Sequence, residues 1–281
     1  MSRRSRPSLN QLRRIFLLVG ECLELGADPL LWRQHLAFSI QKLVGDGVVL
    51  LAELSPNRLG NGQLAQHTVA VGWRDEKAKS SFEAYSRDDD PEENPLLTQA
   101  LTSPCQLITI SAHQAADEAD WQQMTVYDYI HQAHLHYDCI ASISRHMGGV
   151  TNLFVVHPRR ESNPYPVRSK RLLWILHREL YHHLNTRLAM IGKPSVLDLP
   201  VRVRDVLICL LQGDSIKQAA LRCHLSTHTA ADYSKRIYQQ LAVNSRGELV
   251  FRYGGLVRKL VACAPGDDCV FHNRPQDPPP S

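Results

Sequence analysis

Residues 200–260 most constrain the fold, because they contain short helical patterns with short connections and no strand-like pattern. The first helix, VRVRDVLICLLQG, presents an apolar face and ends at a glycine, a common helix terminator. The second, SIKQAALRCHL, can be capped by Asp214 or by Ser215. Its adjacent Ala219 and Ala220 are small enough to let another helix cross closely. The pattern predicts an all-α module of closely connected helices.

A tight turn leads from this second helix into a third, within HLSTHTAADYSKRIYQQL. Ser226 can accept hydrogen bonds from the exposed amides at the start of that helix. The residues that share its inner face are Ala230, Ser234, Ile237 and Leu241. The residues that share its outer face are His228, Ala231, Asp232, Lys235 and Gln239. Two helices joined by a tight turn, with a polar outer face on the second, form the unit that enters the major groove of DNA.

The last third of the chain resembles the LuxR-type helix-turn-helix, the DNA-binding domain of many bacterial transcription regulators. The residues that match in register are Leu199, Arg202, Asp205, Val206, Leu207, Gly213, Ser215, Lys217, Ala220, Leu225, Ser226, Thr229, Ile237, Leu241, Val243, Ser245, Arg246 and Leu249. Ser245 with Glu248 fits a capping box at the start of a fourth helix, which these domains commonly use to dimerise. The resemblance implies a four-helix domain that binds double-stranded DNA as a homodimer, with RNA polymerase as a further candidate partner.

The resemblance also assigns positions at the DNA. It places Lys235 against a base and puts Ala231 and Asp232 at the other two groove-facing positions. The remaining DNA-contacting candidates, near the phosphate backbone or within the same basic set, are Ser226, Thr227, Thr229, Arg236 and Arg246. Ala231 replaces a usual lysine or arginine, which directly affects recognition.

Two interpretations of the third helix remain open. A carboxylate at Asp232 can accept a hydrogen bond from a cytosine amine and repel phosphate, which favours selectivity, or it can be an ordinary solvated residue. The chain is therefore expected to be a sequence-specific regulator whose activity the N-terminal domain controls. The alternative is a protein-interaction module whose helix-turn-helix no longer reads DNA.

The charge distribution favours a polyanion as a partner of the C-terminal end. Residues 200–260 contain ten Lys or Arg and four Asp or Glu, a surplus of six, whereas the whole chain carries a net charge of +4. Residues 83–120 are acidic, with one basic residue, Arg87. A basic module joined to a neutral-to-acidic one fits a nucleic-acid-binding end on a body that does not bind nucleic acid.

The first two thirds of the chain predict an α+β domain. Helical patterns cover residues 8–25, a second helix capped by Asp28, and short segments at 80–85 and 95–101. Strand patterns cover residues 48–54, 67–73 and 105–111, and two further runs, CIASISRH and VTNLFVVH, flank a Gly-Gly hairpin signal. Helices are also predicted over residues 121–136 and 167–190. This order predicts an antiparallel sheet with helices packed on it.

The predicted domain organisation has four parts. They are an α+β sensor or dimerisation domain over residues 1–165, a long linker helix over 166–194, the helix-turn-helix domain over 195–262 and a proline-rich tail over 263–281. The order of elements in the first part resembles GAF- or PAS-like sensor domains, which implies a small-molecule pocket between sheet and helices. The candidate pocket aromatics are Trp73, Tyr85, Trp121, Tyr127 and Tyr129, with ordinary core packing as the alternative.

Several other classes of protein are not expected. No phosphoacceptor pattern of a receiver domain and no aromatic pattern of acyl-homoserine-lactone receptors stands out, and no nucleophile–base set or phosphate loop indicates an enzyme or a cofactor. The histidines at 131, 134, 136, 177, 182 and 183, and Cys263 and Cys269 with His272, lack convincing metal-ligand spacing. Seven scattered cysteines without a disulfide framework, no secretory signal and no membrane-spanning run predict a cytoplasmic protein.

Overall fold

The computed structural model describes residues 6–56, 64–88, 94–146, 149–191 and 193–257, and the chain divides into two compact units. The first unit comprises Met1–Gly20 and Arg33–Leu184, and the second comprises Glu21–Trp32 and Asn185–Ser281. Two helices, α1 (Leu9–Leu25) and α2 (Pro29–Val44), contribute residues to both units. The predicted division at residues 165, 194 and 262 did not assign Glu21–Trp32 to the C-terminal part.

The first unit is an α+β fold built on a five-stranded antiparallel sheet, as the alternating apolar runs predicted. The strands are β1 (Val48–Pro56), β2 (Leu64–Val71), β3 (Leu107–Ser111), β4 (Ile140–Arg145) and β5 (Thr151–His157). Their order across the sheet is β2-β1-β5-β4-β3. Every residue of β5 is buried, so both faces of the sheet are covered at its centre.

The strand register creates two separate apolar layers. Leu50 pairs with Val155 and Ala52 with Leu153, and these side chains join a core on one face of the sheet. The intervening residues, such as Phe154, point to the opposite face because side chains alternate along a strand. On that opposite face, α2 supplies Arg33, whose guanidinium forms a buried ion pair with Glu53 of β1.

Short helices cover the apolar face. They are α3 (Glu76–Asp88), α4 (Pro95–Thr102), α5 (Ala112–Ala115), α6 (Glu118–Gln122) and α7 (Thr125–Gln132). The prediction of one helix over residues 121–136 was wrong, since Met124 is extended (φ −91°, ψ 140°) and separates α6 from α7. Trp121 and Ile130 are nine positions apart, which on a continuous helix would place them on opposite sides. The break allows both side chains to be buried in one core.

Helix α8 (Val167–Tyr181) completes the first unit and is shorter than the predicted helix, which extended to about residue 190. Asn185 has a left-handed backbone (φ 62°), which no helix continues through. The apolar spacing in the sequence continues past Tyr181 because Leu184 and Leu188 are also buried, although neither residue is helical. Leu188 belongs to the second unit and packs beside Gly26.

Within the described residues 193–257, the second unit has helices α9 (Val201–Leu211), α10 (Ile216–Arg222), α11 (Thr227–Gln240) and α12 (Arg246–Tyr253), preceded by a 3-10 turn at Val196–Asp198. The prediction of a helical C-terminal module is therefore confirmed as a fold. Of the residues described, no helix is both long and apolar enough to cross a membrane.

The segment Glu21–Trp32 is held in the second unit by hydrogen bonds. Asp28 caps α2, as predicted, by accepting from the amides of Leu30 (3.1 Å) and Leu31 (3.0 Å). The same carboxylate accepts from the Ser195 hydroxyl at 2.8 Å and from the Val196 amide at 2.6 Å. The Trp32 indole donates to the Ala189 carbonyl at 3.0 Å. Residues from near the start of the chain thus complete the core of the unit that carries the helix-turn-helix.

Candidate DNA-binding surface and ligand cavity

Helix α10 is the first helix of the helix-turn-helix and begins with a capping box. The Ser215 hydroxyl accepts from the Gln218 amide at 3.3 Å, and the Gln218 side chain accepts from the Ser215 amide at 2.8 Å. Ser215, rather than Asp214, is therefore the cap. Asp214 instead forms an ion pair with Arg222 at the other end of the helix. Ala219 and Ala220 are buried, in agreement with a close helix crossing at this point.

The turn between α10 and α11 depends on a left-handed residue. His224 has φ 55°, in a position that helix termini usually fill with glycine. The Leu225 amide donates to the Ala220 carbonyl at 2.8 Å, which closes the turn. Sequence analysis did not identify His224, because histidine is not a characteristic turn residue.

Helix α11 begins at a serine cap that matches the prediction. The Ser226 hydroxyl oxygen accepts from the Thr229 amide at 3.0 Å. The hydroxyls of Ser226 and Thr229 also share a hydrogen bond of 2.8 Å. Ser226 and Thr227 are exposed at this helix end, where the amides and the helix dipole favour an anion.

The two faces of α11 differ as the spacing predicted. Its inner face is buried through Ala230, Ser234, Ile237 and Leu241. On the outer face Lys235 and Arg236 are exposed, whereas Ala231 is half-buried. The helix therefore presents a solvent-facing polar stripe along its length.

Asp232 lies between two basic groups on that outer face. Its carboxylate is 3.6 Å from the Lys235 ammonium and 3.4 Å from Nε2 of His228. The Lys235 side chain is 75% exposed and that of Asp232 is 51% exposed, so water screens the pair and its contribution to stability is small. The carboxylate nevertheless lowers the positive potential that this face presents to a polyanion.

Arg246 and the start of α12 lie beside this helix-turn-helix. The half-buried Arg246 donates to the carbonyl of Leu210, near the end of α9, at 3.2 Å. The Ser245 hydroxyl accepts from the Glu248 amide at 3.1 Å, whereas the Glu248 carboxylate accepts from the Asn244 amide at 2.8 Å. The predicted helix cap is therefore present at Ser245. The Glu248 side chain, however, accepts from the amide of Asn244, the residue before the cap.

The first unit contains a cavity between the apolar face of the sheet and helices α3, α4, α6 and α7. Its empty space is about 780 Å³, including open solvent at its mouth. The residues lining it are Leu50, Ala52, Leu54, Thr68, Phe82, Asn94, Leu96, Leu97, Trp121, Val126, Ile130, Tyr137, Cys139, Ala141, Ile143, Leu153, Val155 and His157. None of these lining residues is Asp, Glu, Lys or Arg. The site suits a largely apolar molecule.

The polar groups at the cavity are few and mostly uncharged. Burial lowers the pKa of His157 to about 4, so its imidazole is neutral at neutral pH. Its Nδ1 lies 3.3 Å from the carbonyl of His136. Burial, followed by the nearby Glu118 carboxylate, raises the pKa of the Tyr137 hydroxyl. These groups can exchange hydrogen bonds with a ligand without adding a formal charge.

The predicted pocket aromatics have different positions. Trp121 lines the cavity, and its indole donates to the Ala112 carbonyl at 3.1 Å. Trp73, Tyr127 and Tyr129 pack partly buried against the same core without lining the cavity. The Tyr85 side chain lies outside the described residues. Sequence analysis missed three cavity side chains, Phe82, Tyr137 and His157, which no local pattern connects.

Neither a protein-family model nor a curated protein sequence matches the chain. The chain matches several solved structures weakly and at low identity. SdiA in complex with octanoyl-rac-glycerol matches at a TM-score of 0.44 and 10% identity, over 89% of this chain and 96% of that one. Escherichia coli SdiA matches at 0.35 and 12%, over 80% and 90%. The N-acylhomoserine-lactone-dependent LuxR family transcription factor CepR2 from Burkholderia cenocepacia matches at 0.43 and 10%, over 62% and 96%. Because these similarities are low, the function has to be inferred from the residues of this chain.

The histidines considered as metal ligands have other environments. His177 of α8 is fully buried, and its two ring nitrogens each lie 2.9 Å from a serine hydroxyl, those of Ser142 and Ser144. Burial lowers the pKa of His177 to about 3. His131 stacks on Tyr127. Within the described part of the chain, no group of three or more His, Cys, Asp or Glu side chains could hold a metal ion. Cys263, Cys269 and His272 lie outside that part.

Proposed function

We propose that the protein is a sequence-specific transcription regulator that binds double-stranded DNA through a LuxR-type helix-turn-helix. The observation that carries the proposal is α11, a capped helix with a buried inner face and an exposed polar outer face, joined to α10 by a tight turn. This arrangement fits the major groove of DNA, where the outer face of the second helix contacts base edges. The basic surplus of residues 200–260 supports the same partner.

The residues of α11 have two proposed roles. Some fix the position of the helix on the DNA backbone, and others contact the bases. Ser226, Thr227 and Thr229 present the start of the helix to a phosphate, which fixes the register. Lys235 reaches a base edge, and Asp232 with Ala231 completes the groove-facing set. Arg236 adds a phosphate contact.

Arg246 has a different proposed role, because its guanidinium already donates to the Leu210 carbonyl. It holds the end of α9 beside α12 and keeps its remaining N–H groups for a phosphate. The half-buried side chain is compatible with both contacts.

We propose that the DNA-bound form is a homodimer. Helix α12 carries an exposed apolar pair, Val250 (40% exposed) and Phe251 (91% exposed). Such side chains are suited to burial against a second copy. A dimer would contact two half-sites that lie one turn of the DNA helix apart. RNA polymerase is the candidate protein partner of the DNA-bound dimer.

The first unit is proposed to control DNA binding by taking up a small molecule in its cavity. Among the described residues, the lining is largely apolar and includes no Asp, Glu, Lys or Arg, which disfavours a carboxylate or phosphate ligand. A neutral ligand with an apolar chain and one or two hydrogen-bonding groups fits the neutral His157 and the Tyr137 hydroxyl.

Footprinting of the full-length protein on genomic DNA fragments, followed by salt titration at a bound site, tests the function. We expect a protected site and a steep loss of affinity with salt, with a logarithmic slope of roughly −0.9 for each phosphate contacted. The matched control is random DNA of equal length, which measures non-specific binding. Absence of a footprint and of a salt-dependent affinity at low salt would reject DNA binding.

A protein-interaction module is the second candidate function, and the position of Asp232 favours it. Its carboxylate is close to both His228 and Lys235 and reduces the positive charge of α11. That module would leave no footprint, and its α11 face would become protected from hydrogen exchange by a protein partner rather than by DNA.

A further inference from the structure

Two cysteines lie close together where α9 packs against the helix-turn-helix. Cys209 lies on α9 and is 5% exposed, whereas Cys223 directly follows α10 and is half-buried. Their sulfur atoms are 3.6 Å apart. Both are free thiols in the structure. Cys223 lies next to the turn between α10 and α11. The DNA-contacting residues proposed above include neither cysteine.

The two thiols differ in reactivity. Burial, followed by the adjacent Cys223 sulfur, raises the pKa of the Cys209 thiol to about 12, so Cys209 stays protonated at neutral pH. Cys223 keeps access to solvent, whereas only 5% of Cys209 is exposed. An oxidant would therefore meet Cys223 first.

We propose that Cys209 and Cys223 form a reversible dithiol–disulfide pair that responds to peroxides. The Cys223 sulfur attacks one oxygen of hydrogen peroxide, the O–O bond breaks, the thiol proton passes to the departing hydroxide, and a sulfenic acid and one water form. The Cys209 sulfur then attacks the sulfenic sulfur, the S–S bond forms, and the hydroxyl leaves with the Cys209 proton as a second water. The two thiols supply the two electrons that reduce the peroxide. Two molecules of a low-molecular-weight thiol restore the two cysteines by successive exchange through a mixed disulfide, and they leave joined as their own disulfide.

The bond would displace the turn between α10 and α11. A disulfide joins its sulfurs at about 2.05 Å, so the pair has to close by roughly 1.5 Å from its present separation. The Cys223 amide donates to the Ala219 carbonyl at 2.9 Å, and the left-handed His224 follows immediately. Ser226, the cap of α11, is three residues beyond Cys223. The closure is therefore transmitted to the start of α11.

The consequence for DNA rests on the proposed function. Binding sites tolerate misplacement of only about 0.5 Å. A shift of the start of α11 that loses one specific base contact should therefore weaken specific DNA binding by roughly tenfold. The closed loop also restricts the unfolded chain and should raise the melting temperature of the second unit by about 5 °C or more.

Peroxide treatment of the full-length protein tests the pair directly. Trypsin cuts after Lys217 and Arg222, so the two cysteines fall in different peptides unless a disulfide links them. After blocking of free thiols, we expect a linked peptide that loses two hydrogens relative to its reduced parts and disappears with dithiothreitol. Cys223→Ser and Cys209→Ala should each abolish it. Cys105→Ser, at an exposed cysteine of the other unit, should leave it unchanged.

DNA affinity is measured in parallel by fluorescence anisotropy on a footprinted site, with reduced and oxidised protein. The expected result is a roughly tenfold loss on oxidation, restored by dithiothreitol and absent in Cys223→Ser. Failure to find the linked peptide in the oxidised wild-type protein would overturn the pair. A linked peptide with unchanged affinity would overturn its effect on DNA. If the reduced protein binds no DNA, the proposed function fails, and the peptide map still decides the pair independently.

Discussion

Replacement of Asp28 by alanine should destabilise the unit that carries the helix-turn-helix, although Asp28 is distant from it in sequence. The Asp28 carboxylate accepts four hydrogen bonds, two from the start of α2 and two from Ser195 and Val196. Loss of a helix cap costs about 1 kcal/mol. Ser195 and Val196 are almost fully buried, so each of their donors left unpaired costs about 1 kcal/mol or more.

The net effect is smaller than the sum of these terms. Burial of the carboxylate raises the pKa of Asp28, which means that the protein environment disfavours its charge. Removing the carboxylate recovers part of that cost. We expect a loss of about 2–3 kcal/mol in the free energy of unfolding, which lowers the melting temperature of a unit of about 100 residues by roughly 10 °C.

Hydrogen exchange measured by mass spectrometry separates the effect on the two units. In Asp28→Ala the amides of α9 and α11 should exchange faster, while those of β4 and β5 should keep their protection. The matched control is Asp232→Ala, an aspartate of the second unit that is 51% exposed, which should leave the melting temperature within about 3 °C. Unchanged protection of α9 and α11 in Asp28→Ala would refute the inference that Glu21–Trp32 completes this unit.

Three further predictions concern the proposed sites. Lys235→Ala should weaken specific DNA binding by about 1–3 kcal/mol in anisotropy titrations, and unchanged binding would remove Lys235 from the DNA-contacting set. Asp232→Asn should strengthen binding to random DNA, because a negative charge beside Lys235 is lost; equal affinities of variant and wild type at low salt would contradict this. The pKa of His157 falls from 6.5 to about 4 on folding, so its contribution to stability is present above pH 6.5 and is lost as pH falls from 6.5 to 4. Urea unfolding across this range should show a loss of order 3 kcal/mol that His157→Gln reduces, and an identical pH dependence in the variant would refute the assignment.

The parts of the fold that were predicted correctly depend on residues close together in sequence. Strands β4 and β5 follow from alternating apolar runs around a glycine pair, and α11 follows from its serine cap and the spacing of Ala230, Ser234 and Ile237. In each case the pattern and the structure it specifies lie within about 20 residues. The positions of Lys235 and Asp232 on the outer face of α11 follow from the same spacing. Their contacts with DNA remain a prediction.

The parts that could not be predicted depend on residues far apart in sequence. The hydrogen bond from Ser195 to Asp28 spans 167 positions, and a capping aspartate has the same sequence signal whether or not it also binds a distant segment. The cavity brings Phe82 together with Tyr137 and His157 through the order of the strands, which periodicity does not determine. The break between α6 and α7 is likewise set by the need to bury Trp121 and Ile130 on one side.

The hydrogen bonds of Asp28 also bear on the order in which the chain folds during synthesis. Glu21–Trp32 leaves the ribosome early, but its partners at Ala189, Ser195 and Val196 are made much later. Domains of most proteins can fold one after another as they emerge. Here the second unit cannot complete its core until both segments are available, so the early segment has to remain accessible while the intervening sheet is synthesised. Delayed synthesis between these segments would therefore lengthen the time during which α9 and its neighbours lack part of their core.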